Sequence, residues 1–326
     1  MKRIRVITKD KNRTHRYHSY LKDKRQYFPV QMFLYGGLKL PDSGKIDYST
    51  LSDDDVMAVK SAREVLDFNP HNICAHTGLN GGFYNNQVHR PDYMTSGRYH
   101  NSERIMFGSY NPKHEVFLEP CSLKRVKYVC KKGGLRLADD YRLKKDGKII
   151  FCLNNNIGWY KDKFSLNDID KVKASVDKIR EYTDRKIEIR LHPKDRERKK
   201  RADIADRNEQ ILKDYKLKLC REDHWACMEK ASIIVVDHTT MVVEAAVRGI
   251  PVFYTGKTPK DCVGNDYFMK GYELFDLNNF KKQNLPDRES FLRKYFSSIL
   301  TLKELQGGVE LPNLIDKYIA KYITHE

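Results

Sequence analysis

Three observations predict an α/β protein whose second half is Rossmann-like. From about residue 147 to 270, apolar β-branched runs alternate with helical patterns. Those runs, KIIFCL, KIEIRL, SIIVVD and IPVFYT, carry almost no polar alternation, so each is apolar on both faces, as strands of a parallel sheet covered on both sides must be. Two of them end abruptly on short polar turns, RLHP at 190–193 and DHTT at 237–240.

The elements follow in order. RIRVITK opens the chain as a strand, and VQMFLYGG follows it. LSDDDVMAVKSAREVLDF reads as a helix, because an acidic first turn suits the helix dipole. NICAH is a short strand, and residues 77–108 read as one long loop dense in Gly, Asn and Tyr, too long for a simple connector. VFLEP and VKYVC read as short strands. KIIFCL then begins the parallel half, followed by an amphipathic helix in SLNDIDKVKASVDKIREYT and the strand KIEIRLHP. RADIADRNEQILKDY is a helix, KLKLCR a short strand, and HWACMEKA a helix of one to two turns. SIIVVD, the helix TMVVEAAVRG stopped by its glycine, and the strand IPVFYT complete the alternation. The tail from 286 reads as two or three helices. The expected organisation is therefore residues 1–146, residues 147–275, and 276–326 as helices returning to the first lobe.

Composition bounds the function. No apolar run approaches the roughly 18–20 residues of a membrane span, and the basic start lacks the apolar core of a secretory signal. Seven dispersed cysteines without metal-like spacing read as reduced thiols of a cytoplasmic protein. Sixty-one Lys and Arg against 44 Asp and Glu give a net charge of +17, which draws polyanions. The excess gathers in KRIRVITKDKNRTHR, in SLKRVKYVCKKGGLRLADDYRLKK and in HPKDRERKKR. Lys124, Arg125, Lys127, Lys131, Lys132, Arg16 and Arg90 are the candidate nucleic-acid contacts; the plainer alternative is solvated surface.

Ligands of open parallel sheets sit at the carboxyl ends of the strands, where both polar turns fall. Asp237, His238, Thr239 and Thr240 lead into a helix whose first free N–H groups attract phosphate. Either threonine can also serve simply as an N-cap. Arg190 and His192 lie on the same side of their strand, with Leu191 opposite, and a strand-end histidine can donate to a diphosphate or play a structural part. The two turns are expected on neighbouring strands. Glu244, among Met241, Val242, Val243, Ala245 and Ala246, is costly to bury unless paired. It can accept from ribose hydroxyls or sit at a helix margin. Gly158 and Trp159, in the polar loop after the first strand of this half, face the same cleft.

KIEIRLHP together with IIVVDHTTMVVEAAVRGIPVFY resembles the carboxyl-terminal half of GT-B nucleotide-sugar glycosyltransferases, including the polymer-building enzymes of capsule and teichoic acid. The pattern is nearer to glycosyltransferases encoded by tailed phages, in the opening from Ile150 to Trp159, the element from Thr183 to Pro193, and the tail from Asp287 to Gly307. The likeness covers about half the chain, mainly 148–256. It implies a GT-B-like fold of two Rossmann-like lobes facing a cleft. It also puts His192, Thr239 and Thr240 on a donor diphosphate, Glu244 on the ribose, and Arg190 near the phosphates or behind them. His238 departs from the Tyr or Asn usual in such loops.

The implied activity is transfer from a UDP-sugar, a co-substrate, with no cofactor and no metal: the helix dipole and side chains neutralise the leaving diphosphate, and no convincing Asp-x-Asp or Cys/His cluster is present. A phage-type transferase with this charge implies a monomer acting in the host cytoplasm, away from membranes. Its acceptor would be double-stranded DNA bearing a hydroxymethylated pyrimidine, with glucose or a pentose such as arabinose as the sugar. The alternatives are a surface-polysaccharide or teichoic-acid-like polymer transferase and a non-catalytic nucleic-acid-binding protein. The base that accepts the acceptor's proton is expected from the first lobe, with Asp92 and His76 as candidates. The alternatives for these two are a turn residue and a structural strand-end histidine.

Overall fold

The structure is a computed structural model that describes residues 3–7, 55–59, 72–77, 102–107, 119–132, 135–144, 146–153, 169–190, 212–213, 217–222, 224–236, 241–255, 267–269, 271–276, 284–301, 304 and 310–322. The chain divides into two compact units, Met1–Leu135 with Arg293–Glu326, and Arg136–Leu292. The sequence boundaries at 146/147 and 275/276 fall inside the second unit. Its extra margins are tied to it by backbone bonds, Ala138 N–H to the Val247 carbonyl at 2.9 Å and Arg142 N–H to that of Gly249 at 2.6 Å. Arg288 adds side-chain bonds to the carbonyls of Ala138, Ala246 and Val247.

Among the described residues of the first unit, a five-stranded mixed sheet runs in the order β1-β2-β3-β4-β11. Its strands are β1 (Arg3–Ile7), β2 (Asp55–Val59), β3 (Asn72–Thr77), β4 (Ser102–Phe107) and β11 (Ile299–Thr301). The first three are parallel, and β4 runs antiparallel to both β3 and β11. This corrects three expectations. The segment expected as a helix contains β2, because DVMAV is paired from both sides, by β1 and by β3. The long loop ends in β4, and the tail contains a strand. β4 and β11 pair with each other across almost 200 residues, Arg104 opposite Ile299, a partnership no local pattern announces.

VKYVC is likewise helical: α1 spans Leu123–Lys132 and buries Val126, Val129 and Cys130. That spacing of i, i+3 and i+4 marks one helix face. The carboxyl-terminal helices are α5 (Arg288–Phe296) and α6 (Glu310–Tyr322).

Among the described residues the second unit holds six strands, all parallel, in the order β10-β9-β8-β5-β6-β7. They are β5 (Lys148–Cys152), β6 (Ile187–Arg190), β7 (Lys218–Leu219), β8 (Ala231–Val236), β9 (Val252–Tyr254) and β10 (Phe268–Met269). Numbered within this sheet by chain order, they run 3-2-1-4-5-6, the doubly wound order. Between them lie α2 (Ile169–Arg180), α3 (His224–Lys230) and α4 (Met241–Val247).

Ile149, Phe151, Ile187, Ile189, Ile233 and Val235 join Val172, Val176 and Ile179 of α2 in one core. The alternate residues Ile150, Cys152, Ile234 and Val236 point the other way and are buried too, so the sheet is covered on both faces as expected. Among the described residues no helix is long and apolar enough to cross a membrane.

Candidate functional site

The chain enters β5 and moves outward through β6 and β7, then crosses back to place β8 on the other side of β5 and continues to β9 and β10. The two halves of the sheet thus wind in opposite directions from the β5/β8 seam. Crossovers leaving that seam go to opposite faces, which opens a crevice at its carboxyl edge. Register fixes that edge: Cys152 lies opposite both Arg190 and Val236, and Val236 lies opposite Tyr254. The segments beginning at Leu153, 191, 237 and Thr255 therefore all leave the same side of the sheet. Thr255 anchors its corner by donating its N–H and hydroxyl to the Val236 carbonyl, at 2.9 and 3.2 Å.

The four residues Asp237, His238, Thr239 and Thr240 join β8 directly to α4 at this seam, and the loop holding Gly158 and Trp159 leaves the other strand of the seam. His192 follows Arg190 by two residues at the end of β6. The side chains of these seven residues lie outside the described residues. One expectation is corrected: β6 and β8 are not neighbours, since β5 lies between them. The exits of His192 and of the 237–240 turn are two strand spacings apart, about 9.5 Å. The reason is the crossover after β7, which carries the chain past β5 instead of adding β8 to the same side.

Glu244 lies in α4 with 3% exposure, among the buried Val242, Val243, Ala245, Ala246 and Val247. Its charge acts on Cys152, the last residue of β5. The Cys152 thiol is pushed up to about 12, chiefly by burial, against the pull of the Arg190 guanidinium and with a further push from Cys220 and Glu244. Cys152 thus lies at the seam under the influence of Arg190 from β6 and Glu244 from α4. A cysteine ending an apolar run carries no local signal of such a position.

Arg190 is half-buried, and its Nη1 donates to the Glu222 carbonyl at 2.9 Å. Its surroundings include Cys152, Cys220 and Cys227, so it braces the β6 end of the site.

Of the residues expected to accept the acceptor's proton, His76 is the fifth residue of β3, opposite Arg104 of β4; the strand runs one residue beyond it. Asp92 lies outside the described residues, as do Arg16 and Arg90. Lys124, Lys127, Lys131 and Lys132 are exposed on α1. Arg125, on the same helix, has protein partners of its own. Its Nη1 is ion-paired with Glu304, and its Nη2 donates to Glu304 Oε2 at 3.0 Å and to the Ile299 carbonyl at 2.5 Å. It pins α1 to β11.

No protein-family model matches the chain, and no curated protein does so. Solved structures do. The Thermosulfurimonas dismutans KpsC, a beta Kdo 2,7 transferase, aligns at a TM-score of 0.50 and 13% identity, over 97% of this chain and 100% of that one. The wall teichoic acid polymerase TagF, as its H444N variant with CDPG, aligns at 0.28 and 14% over 62% and 47%. The S. aureus MnaA–UDP structure aligns at 0.33 and 12% over 98% and 97%. The whole-length match is to a fold: the chain has a GT-B-type α/β fold, as its sequence predicts.

Proposed function

We propose that the protein is a GT-B glycosyltransferase that binds a nucleotide sugar at the carboxyl edge of the β5/β8 seam. The observation that carries this reading is the switch point itself, set in a chain that aligns end to end with a Kdo transferase. In this reading the 237–240 turn and His192 hold the donor diphosphate from two sides of the crevice. Charge-assisted hydrogen bonds from these groups and the hydroxyls of Thr239 and Thr240 stabilise the leaving group without a metal. Glu244 accepts from the ribose hydroxyls, and the loop with Gly158 and Trp159 closes over the sugar. Asp92 or His76 takes the proton of the attacking hydroxyl.

The acceptor in this reading is DNA bearing a hydroxymethylated pyrimidine, whose hydroxymethyl oxygen projects into the major groove. The net charge of +17 and the exposed lysines of α1 support a polyanionic acceptor. A second reading, transfer onto an anionic surface polysaccharide, is favoured by the end-to-end match to KpsC.

One experiment separates them. The protein is incubated with a panel of nucleotide-activated sugars, UDP-sugars among them, and either hydroxymethylated duplex DNA or a Kdo-containing glycan, and the products are weighed by mass spectrometry. Glycosylated nucleosides from the DNA support the first acceptor, and an extended glycan supports the second. Failure of every donor to be consumed or hydrolysed would overturn the transferase reading. His192→Ala should reduce turnover of the active pair about ten- to a hundredfold.

A further inference from the structure

Beside the candidate site lies a pair of thiols that the proposed transfer does not use. Cys220 follows β7 directly, and Cys227 is the fourth residue of α3. Their sulfurs share a hydrogen bond at 3.2 Å, and both residues are buried. Neither is disulfide-bonded. The sulfurs need approach by only about 1.2 Å to reach disulfide bonding distance. Arg190 stands against the same pair, its charge acting on both sulfurs. That guanidinium opposes a metal cation between the sulfurs and favours a thiolate.

We propose that Cys220 and Cys227 form a redox-active dithiol that closes reversibly to a disulfide beside Arg190. The polarity of the pair supports it. The hydrogen bond with Cys227 holds the Cys220 thiol below its ordinary value, with help from Arg190 and against burial. The same bond, together with burial, raises that of Cys227. Arg190 bonds the Cys220 side chain but reaches Cys227 only through its charge, which makes Cys220 the attacking sulfur and Cys227 the resolving one. Access is through β7, a two-residue strand that among the described residues lies at the edge of the sheet and pairs only with β6. Short edge elements open locally at low cost, and a peroxide is small enough to use such an opening.

The step balances. The Cys220 thiolate attacks a peroxide oxygen, the O–O bond breaks, and a sulfenic acid and hydroxide form. The Cys227 sulfur then displaces hydroxide from the sulfenic sulfur, giving the disulfide. The two thiol protons convert the two hydroxides to water, so two thiols lose two electrons and one hydrogen peroxide gains them. Arg190 thereby loses its thiolate neighbour and keeps the Glu222 carbonyl.

The test treats folded, reduced protein with hydrogen peroxide, then alkylates free thiols and maps tryptic peptides without reduction. Trypsin cuts at Arg221, between the two cysteines, so the disulfide appears as two linked peptides lighter by two hydrogens. The expected result is that crosslink alone, reversed by dithiothreitol, unchanged in Cys152→Ser and lost in Cys220→Ser and Cys227→Ser. Recovery of both residues as alkylated thiols would overturn the proposal. So would a Cys220 carried to sulfinic acid with Cys227 still free, or pairing of either with a different cysteine. Circular dichroism of each serine variant confirms that the fold being tested is intact, and Cys227→Ser should still yield a trappable sulfenic acid at Cys220.

Discussion

Gly249 ends α4 with φ of 69°, and a Cβ there would sit 2.2 Å from the carbonyl oxygen of Asp140. Left-handed backbone and close approach of a backbone atom coincide here, which is why a glycine stops the helix before β9 begins. Gly249→Ala is expected to destabilise the protein by about 1–3 kcal/mol, read as a lower urea midpoint with an unchanged slope. An unaltered midpoint would show that the turn relaxes freely.

The helix stop at Gly249 was legible in the sequence, because its cause is local. Glu244 was legible in part: its aliphatic neighbours signalled burial, but its influence on Cys152 depends on which strand α4 crosses. Arg125 was not legible as a structural residue. Its partners, Glu304 and Ile299, lie more than 170 positions away, and in the sequence it stands in a run of lysines that it resembles only in charge.

Among the elements, β5, β6, β8, α4 and β9 could be read directly, since strands buried on both faces leave unbroken apolar runs and their helices carry polar caps. β2 and β4 were missed for the opposite reason. Their residues mix charge with apolar side chains, and pairing with neighbours distant in sequence outweighs the weak local preference. The charged margins of these elements carry a pH signature.

Burial pushes Glu188 up, but its bonds with Lys186 and Lys148 outweigh burial and hold it below the usual carboxylate range. Glu304 is held down likewise by Arg125 and by the Thr301 N–H and hydroxyl, again against burial. Both folded values lie below the unfolded one. The stabilisation is therefore complete above the unfolded carboxylate value of about 4.3 and is lost as pH falls through the depressed folded values. Urea midpoints measured from pH 7 to 3 are expected to fall in that acid window. Glu304→Gln should lower the midpoint at pH 7 and make the decline shallower. A variant with the same acid slope as the wild type would remove Glu304 from this role.

At the scale of the whole molecule, charge and topology point to different ligands at different places. The four exposed lysines of α1 belong to the first unit, and the switch point belongs to the second. If α1 meets nucleic acid, binding of duplex DNA should weaken steeply with salt. Lys124, Lys127 and Lys131 changed together to Ala should then lower the log–log salt slope by up to about 2.7, at about 0.9 per phosphate contact. Arg125→Lys should leave that slope in place and instead cost stability, because its guanidinium is spent on Glu304 and Ile299. A triple variant with the wild-type slope would assign the polyanion contacts to another cluster.

The doubly wound order could not be read in advance, because a strand's neighbour is decided by the side to which each crossover turns. That left β6 and β8 looking adjacent until β5 was found between them. A nucleotide bound at the carboxyl edge of the β5/β8 seam, as proposed above, would be seen by amide hydrogen exchange with and without saturating UDP. Protection is expected in peptides covering 153–160, 190–193 and 237–244, with no change at the amino edge of the same sheet in 146–149, 183–187 and 228–232. Protection confined to the amino edge or to the first unit, or UDP that leaves every peptide unchanged, would contradict it.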